Sequence, residues 1–483
     1  MADGYYLTNQ NTNLQMALST ERIQEEISKP SKATMISKAI EHQNRLKFHC
    51  ETSLKPGSSQ AEVNFKSYVY NLIPESKRET FDALFRYPIK TNEVTDVCFD
   101  KLSRIFDGRN PAFNYQFSST EEKDDWEYYR QEVLGEPAVW QTQAFEYFKT
   151  EINSILVVDL PSEQRSERPD AYFYFLTIDN VKSFDSLPDG TINWIIFSQD
   201  NGNIAVIDDE RYRIFATDKS GNIAQLLIDK PHDLGYCPCR FFWSQFVSRE
   251  YYDVKKSPLT KELSTLDDYL FKVTSKQHLD LYAAYPIYSG YASDCDYQDA
   301  DNNTCDGGYL KDSRGNYKLD PYGAICKCPK CANKRLAGPG SYVEIPAPTE
   351  ERPHDLRNPI QVLTIDEASL NYNVQECARL RNAIITAVVG NNEEVQQKDA
   401  INEQQVKANY ESLTSVLLRV KKGFEEAQQF VDTTICKLRY GTKFISARVN
   451  YGTEFYIYDV AQLRENYKVA KDSGASESEL DAL

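Results

Sequence analysis

An apolar stripe in the last quarter of the chain constrains its fold more than any other feature. Val406, Tyr410, Leu413, Leu417, Val420, Phe424, Ala427, Val431, Ile435 and Leu438 recur at steps of three and four. That spacing puts them on one face of a helix. Residues 401 to 441 therefore read as one rod, its stripe from Val406 to Leu438 alone about 50 Å long at 1.5 Å per residue, with Gly423 as the place for a kink. Arg439-Tyr440-Gly441 ends it, and KFISARV and GTEFYIYDV follow as strand-like runs. With 483 residues, 41% of them apolar, the chain suffices for two to four units with cores of their own, at roughly 100 to 200 residues per domain.

Ahead of the rod the pattern changes several times. Residues 20 to 150 read mostly as helix; in Glu93 to Phe106, Val94, Val97, Cys98, Leu102 and Ile105 keep one face apolar, and Gly108 can close the end. From 155 to about 245 come β-branched and aromatic runs, AYFYFLTI, INWIIF, IAVID, YRIFAT and IAQLLI. Asp189-Gly190, Asn201-Gly202 and Ser220-Gly221 fall between them and supply positive φ for tight turns, predicting an antiparallel meander. Ser257-Pro258 then opens a helix over 257–285, and Asp366 opens another over 366–390, closed by Gly390. Between the two lie about eighty residues, 286–365, rich in Gly, Pro, Asp and Cys. That is too long for a bare connector and must fold as a small unit. The polar stretch after Gly390 reads as a mobile loop or a disordered linker. Ser476 and Glu479 stand in capping-box spacing near the end. The fold class expected is α+β, mainly helical.

Of eleven cysteines, five crowd between Cys295 and Cys331, which predicts metal ligation in a reducing compartment over a disulfide framework. Cys328-Pro329-Lys330-Cys331 is a zinc knuckle in its spacing, and Cys295 and Cys305 would supply the opposite pair, leaving Cys326 free or competing. With few large apolar residues nearby, the insertion needs the metal to hold itself together. Four sulfur ligands close the coordination sphere, so about one structural zinc per subunit is expected. The other reading is a set of unliganded thiols. Cys237-Pro238-Cys239 can bind metal or act in redox chemistry but fits packing better, as do Cys50, Cys98, Cys377 and Cys436 on their helical faces.

Lys plus Arg number 55 against 72 Asp plus Glu, a formal charge of -17 that repels phosphate backbones and argues against a groove-reading DNA binder. No stretch approaches the roughly 18 uninterrupted apolar residues of a membrane span. MADGYYLTNQNTNLQ lacks the basic start and apolar block of a signal peptide, so a soluble protein made in the cytoplasm is expected. Phosphate-cradling loop, His-Glu-x-x-His, Gly-x-Ser-x-Gly and dinucleotide glycine fingerprint are all missing from the sequence. His42, His49, His232, His278 and His354 share no motif, and no enzyme is expected.

The order of parts resembles the portal proteins of tailed bacteriophages. The likeness extends from about Ile23 to Gly452 and is carried by order and spacing. Its local words are PLTKELSTLDDY from Pro258, Gly338-Pro339-Gly340, Asn402-Glu403-Gln404-Gln405-Val406 and Leu438-Arg439-Tyr440-Gly441. The resemblance implies a helical and β wing over 1–256, stem helices over 257–285 and 366–390, and a β-containing clip over 286–365 bearing the zinc-ribbon-like insertion. It further implies a tunnel loop over 391–400, a long kinked wing helix over 401–441 and a crown over 442–483. The cysteine-bearing insertion departs from simpler members and suggests a metal-stapled clip.

By the same resemblance, about twelve subunits ring one capsid vertex of the virion after synthesis in the host bacterial cytoplasm. Double-stranded DNA passes along the axis, without sequence preference, during packaging and ejection. Asn391, Asn392, Glu393, Glu394, Gln396, Gln397 and Lys398 would make transient contacts with it. Partners would be the major capsid protein, a separate ATP-hydrolysing terminase and then head-tail adaptor proteins, with no membrane. An alternative is a zinc-ribbon nucleic-acid-binding enzyme or scaffold, for which Lys327, Lys330, Lys334 and Arg335 beside the cysteines argue. A third is a cellular helical adaptor whose striped segments form a bundle core.

Overall fold

The computed structural model describes residues 18–452, apart from 162, 165, 219–220, 292–294, 307, 335–338, 346–359 and 391–402, and only scattered residues beyond 452. Helices α1 (Thr20–Ile27), α2 (Pro30–Cys50), α3 (Gln60–Leu72), α4 (Arg78–Leu84) and α5 (Thr91–Ser103) come first. Strand β1 (Ala112–Phe117), α6 (Thr120–Tyr128), π-helical turns at Tyr129–Val133 and Trp140–Ala144, and α7 (Phe145–Thr150) follow. The strands are β2 (Ile155–Asp159), β3 (Tyr172–Leu176), β4 (Val181–Ser186), β5 (Ile192–Ser198), β6 (Ile204–Ile207), β7 (Arg211–Thr217), β8 (Ile223–Pro231) and β9 (Cys239–Phe241). Then come α8 (Leu263–Ala284), β10 (Ile287–Tyr291), β11 (Thr304–Asp306), β12 (Tyr309–Lys311), α9 (Pro329–Lys334), β13 (Tyr342–Ile345) and β14 (Ile360–Leu363). Last are α10 (Glu367–Val389), α11 (Glu403–Tyr440) and β15 (Phe444–Asn450).

Helix and sheet are mixed, as an α+β chain requires, and they gather into two compact units. The first comprises Met1–Phe65, Thr91–Leu266 and Asn382–Leu483; the second comprises Lys66–Lys90 and Asp267–Arg381. This division differs from one that follows chain order. Residues 66–90 group with the second unit because Phe81 packs on Phe271, ring centroids 6.3 Å apart, and the Tyr68 hydroxyl donates to Asp268 at 3.0 Å.

In the first unit the expected meander occupies β4 to β8, an antiparallel sheet in chain order, with Gly190, Gly202 and Gly221 at positive φ in three of its turns. β2 and β3 instead join β9 in a separate sheet of order β3-β2-β9, which the runs alone do not reveal. The meander is apolar on both faces. Phe184, Ile195, Phe197 and Ile207 pack with Ile36 and Ala39 of α2, while Trp194, Ile196, Val206 and Phe215 pack with Leu18 and Ile23. Such a strand buries alternate residues on opposite sides, so a continuous apolar run is what the sequence must carry.

The long rod is present as α11, 38 residues without interruption, and Leu413, Leu417, Val420, Phe424, Ala427, Val431 and Ile435 are buried along it. Phe424 is fully enclosed by the rings of Phe106, Phe145, Phe148, Phe242 and Trp243, with centroids 5.3 to 6.1 Å away. Gly423 is explained by close packing: a Cβ there would overlap the Trp243 ring. β1, lying inside the region read as helical, pairs antiparallel with β15, Ala112 opposite Asn450.

In the second unit β10 is the central strand of a β13-β10-β14 sheet, parallel to β13 and antiparallel to β14, and β11 and β12 form a hairpin. The helices expected on either side of this β-containing insertion are α8 and α10. Ser257 Oγ accepts from the Leu259 amide at 3.3 Å, and a 3-10 turn, Thr260–Glu262, precedes α8. Asp366 Oδ2 accepts from the Ser369 amide at 3.0 Å, and Gly390, at φ 83°, closes α10. The tunnel-loop residues 391 to 398 and the capping pair Ser476 and Glu479 lie outside the described residues.

Candidate metal centre

Four thiols converge in the insertion. The sulfurs of Cys295, Cys305, Cys328 and Cys331 all lie within 4.8 Å of one another. Cys305 Sγ is 3.5 Å from Cys331 Sγ, and Cys295 Sγ is 3.8 Å from Cys328 Sγ. A tetrahedral zinc with bonds of about 2.3 Å sets its sulfurs about 3.8 Å apart, so these thiols need little movement to close on the ion. The sequence left the choice among five cysteines open; the fold brings together these four, and Cys326 is not in the group.

Local sequence explains the convergence. Cys305 sits on β11, and Gly308, at φ 91°, turns the hairpin into β12. The Cys328 amide donates to the Gly308 carbonyl at 2.9 Å, which fixes the knuckle beside that turn. Pro329 then starts α9 at a position where a missing N–H costs nothing, and one turn of helix carries Cys331 back toward Cys328. Asp299, Asp312 and Asp320 each accept two following backbone amides through one carboxylate oxygen, shaping three further turns.

The lobe has little else to hold it. Between 295 and 331, Leu310 and Cys328 are the buried apolar residues among those described. Burial pushes the Cys305 and Cys331 thiols up, while the Tyr297 backbone amide pulls Cys295 down. A divalent cation would hold all four as thiolates and supply the positive charge that this crowding calls for. The donor set therefore fits a structural zinc with no open position for substrate.

The lobe's cations are largely matched by its own acids. Lys318 contacts Asp299 and Asp301 at 2.8 Å each, Lys311 pairs with Asp306 and Lys330 with Asp296. Of the four basic residues that favoured nucleic acid, Lys330 is thus paired at the surface, while Lys327 makes no ion pair among the described residues. The Lys334 side chain and Arg335 lie outside the described residues.

The remaining candidates are dispersed. Cys237 and Cys239 are buried in the core beneath the meander, Cys237 Sγ facing the Ile207 carbonyl at 3.6 Å. Cys50, Cys98, Cys377 and Cys436 are buried, and desolvation pushes the Cys50 thiol up to about 12. His42 pairs with Thr260 at 3.0 Å, His49 with Thr91 at 3.1 Å, and His232 with the Asp208 carbonyl at 3.0 Å. His278 lies against Tyr282, and His354 is outside the described residues. A buried polar cluster missed by the sequence reading joins Glu136, Trp140, Gln428, Asp432 and Tyr115. Gln428 and Asp432, four apart within the stripe of α11, were its only sequence signal. Compared with known protein families and with curated proteins, the chain matches none.

Proposed function

We propose that the chain is a portal (connector) subunit of a tailed bacteriophage. In this reading copies form a ring at one capsid vertex, conduct double-stranded DNA during packaging and ejection, and dock the terminase and then tail adaptors. One observation carries it: two helices of 22 and 23 residues, α8 and α10, flank a β-containing insertion and are followed by the 38-residue α11. The lengths correspond to about 33, 35 and 57 Å of rod.

Exposed apolar side chains support assembly. Leu281 on α8, Tyr285 just after it, and Tyr372 and Val374 on α10 are all exposed, Tyr285 and Tyr372 to 60% each. Neighbouring copies would cover them. The charge of -17 suits a conduit, because strong cationic contacts to phosphate would hold a duplex in place.

The zinc lobe serves, in this reading, as a rigid docking element. Tyr317, Leu319, Tyr322 and Ile325 are exposed on it, and its lysines are largely paired, which suits a protein partner better than a phosphate backbone. The nucleic-acid reading expects the opposite balance. Native mass measurement and negative-stain images of the purified chain test the proposal. Closed rings with a central hole are expected, whereas a monomer at every concentration contradicts it.

A further inference from the structure

Two acids are sealed inside the first unit with too little positive charge for both. Asp432 is 0% exposed and Glu136 4%. Glu136 Oε1 accepts from Trp140 Nε1 at 2.8 Å and its Oε2 accepts from Gln428 Nε2 at 2.9 Å. Asp432 Oδ2 accepts from the Tyr115 hydroxyl at 2.7 Å, while Oδ1 is buried with no hydrogen-bond donor. An anionic oxygen without a donor is among the costlier things a core can hold.

The surroundings do not supply the missing charge. Arg130 Nη1 stands 3.7 Å from Glu136 Oε2, but Arg130 Nη2 already donates to Glu127 at 2.8 Å. From the β15 end, the Tyr451 hydroxyl donates to Gln428 Oε1 at 2.5 Å. Burial first, and then the two carboxylates, push Tyr451 well above the phenol range, and burial likewise raises Tyr115. Neither hydroxyl gives up its proton. Cys436, one turn along α11, is held up by burial and then by Asp432 and Glu136. Lys421 is occupied by Glu425, Asn450 and the Gly452 carbonyl, and Arg439 by Asp125 and Asp170.

We propose that Glu136 and Asp432 form a proton-binding latch that fastens the C-terminal third of α11 to the segment 129–144 and to β1. The latch holds while the pair carries one proton and loosens when that proton leaves. The Asp432 and Glu136 carboxyl groups lie within hydrogen-bond reach of each other, so a proton on Asp432 turns it into a donor to Glu136 and removes one of two buried negative charges. The two π-helical turns on either side of Glu136 bring Trp140 and Arg130 to bear on it, an irregularity typical of functional segments.

The direction of the pH effect follows. Burial, the largest cause, holds both acids above the ordinary carboxylate range, and they titrate as a pair. Between about pH 4, where an unfolded carboxylate ionises, and the raised value of the pair, the fold binds more protons than the unfolded chain. Stability contributed by the latch therefore falls as pH rises through that window.

Amide hydrogen exchange over residues 428–436 of the full chain, corrected for intrinsic rates, reads the latch from pH 6 to pH 9. Opening in the wild type should speed up at least tenfold. Asp432→Asn places an amide N–H where the proton sits and keeps an acceptor for Tyr115. It should remove most of that pH dependence and open no faster than wild type at pH 9. Glu136→Gln should flatten the response as well, even if it opens faster overall, and serves if the first variant does not fold. An unchanged pH response in the folded variants overturns the latch. So does an Asp432→Asn chain that opens faster than wild type at every pH, or failure of both variants to fold.

Discussion

Phe424 stands where five aromatic rings meet, so truncating it removes more than its own surface. Phe424→Ala should lower the unfolding free energy by about 3 to 5 kcal/mol, measured by urea titration. Gly423→Ala tests the neighbouring contact. In an exposed helix it would stabilise, but here the new methyl meets Trp243, and a loss of about 1 to 3 kcal/mol is expected. A gain would mean that the glycine serves bending alone. Phe424 was legible from the stripe. The close approach of Trp243 to Gly423 was not legible, because Trp243 lies far away in the chain. The acid pair was half legible: Gln428 and Asp432 interrupt an apolar face at helical spacing, yet Glu136 is 292 residues from Gln428.

Among elements, the cysteine lobe and the long helix were the most readable, because each is specified by spacing within a short window. Zinc should bind at about one per chain, measured by elemental analysis of the purified protein. Changing Cys328 and Cys331 together to Ser should abolish it and raise amide exchange across 295–331. Exchange in α11 should stay as it was, since α11 belongs to the other compact unit. Unchanged metal content in that variant would remove the ligand assignment. Strand pairing was less readable. β1 and β15 find each other across more than three hundred residues, and nothing local in Ala112–Phe117 names its partner. The break between β3 and β4 that assigns them to different sheets is likewise a matter of what packs on each face, with β9 returning to lie beside β2.

For the whole molecule, residues 66–90 group with the insertion in one compact unit because Phe81 and Phe271 meet through tertiary packing, which periodicity does not reveal. The portal reading rests on the succession of α8, insertion, α10 and α11, on apolar side chains that a lone chain leaves in water, and on an acidic balance. Each of these properties gains its meaning from copies side by side. Mass determination of the purified full chain by native mass spectrometry, at several concentrations and with images of the same sample, is the most direct test. The account predicts a closed ring many times the 55.5 kDa of one chain, with a central opening wide enough for a duplex. A single 55.5 kDa species at every concentration, compact and without a channel, would contradict it.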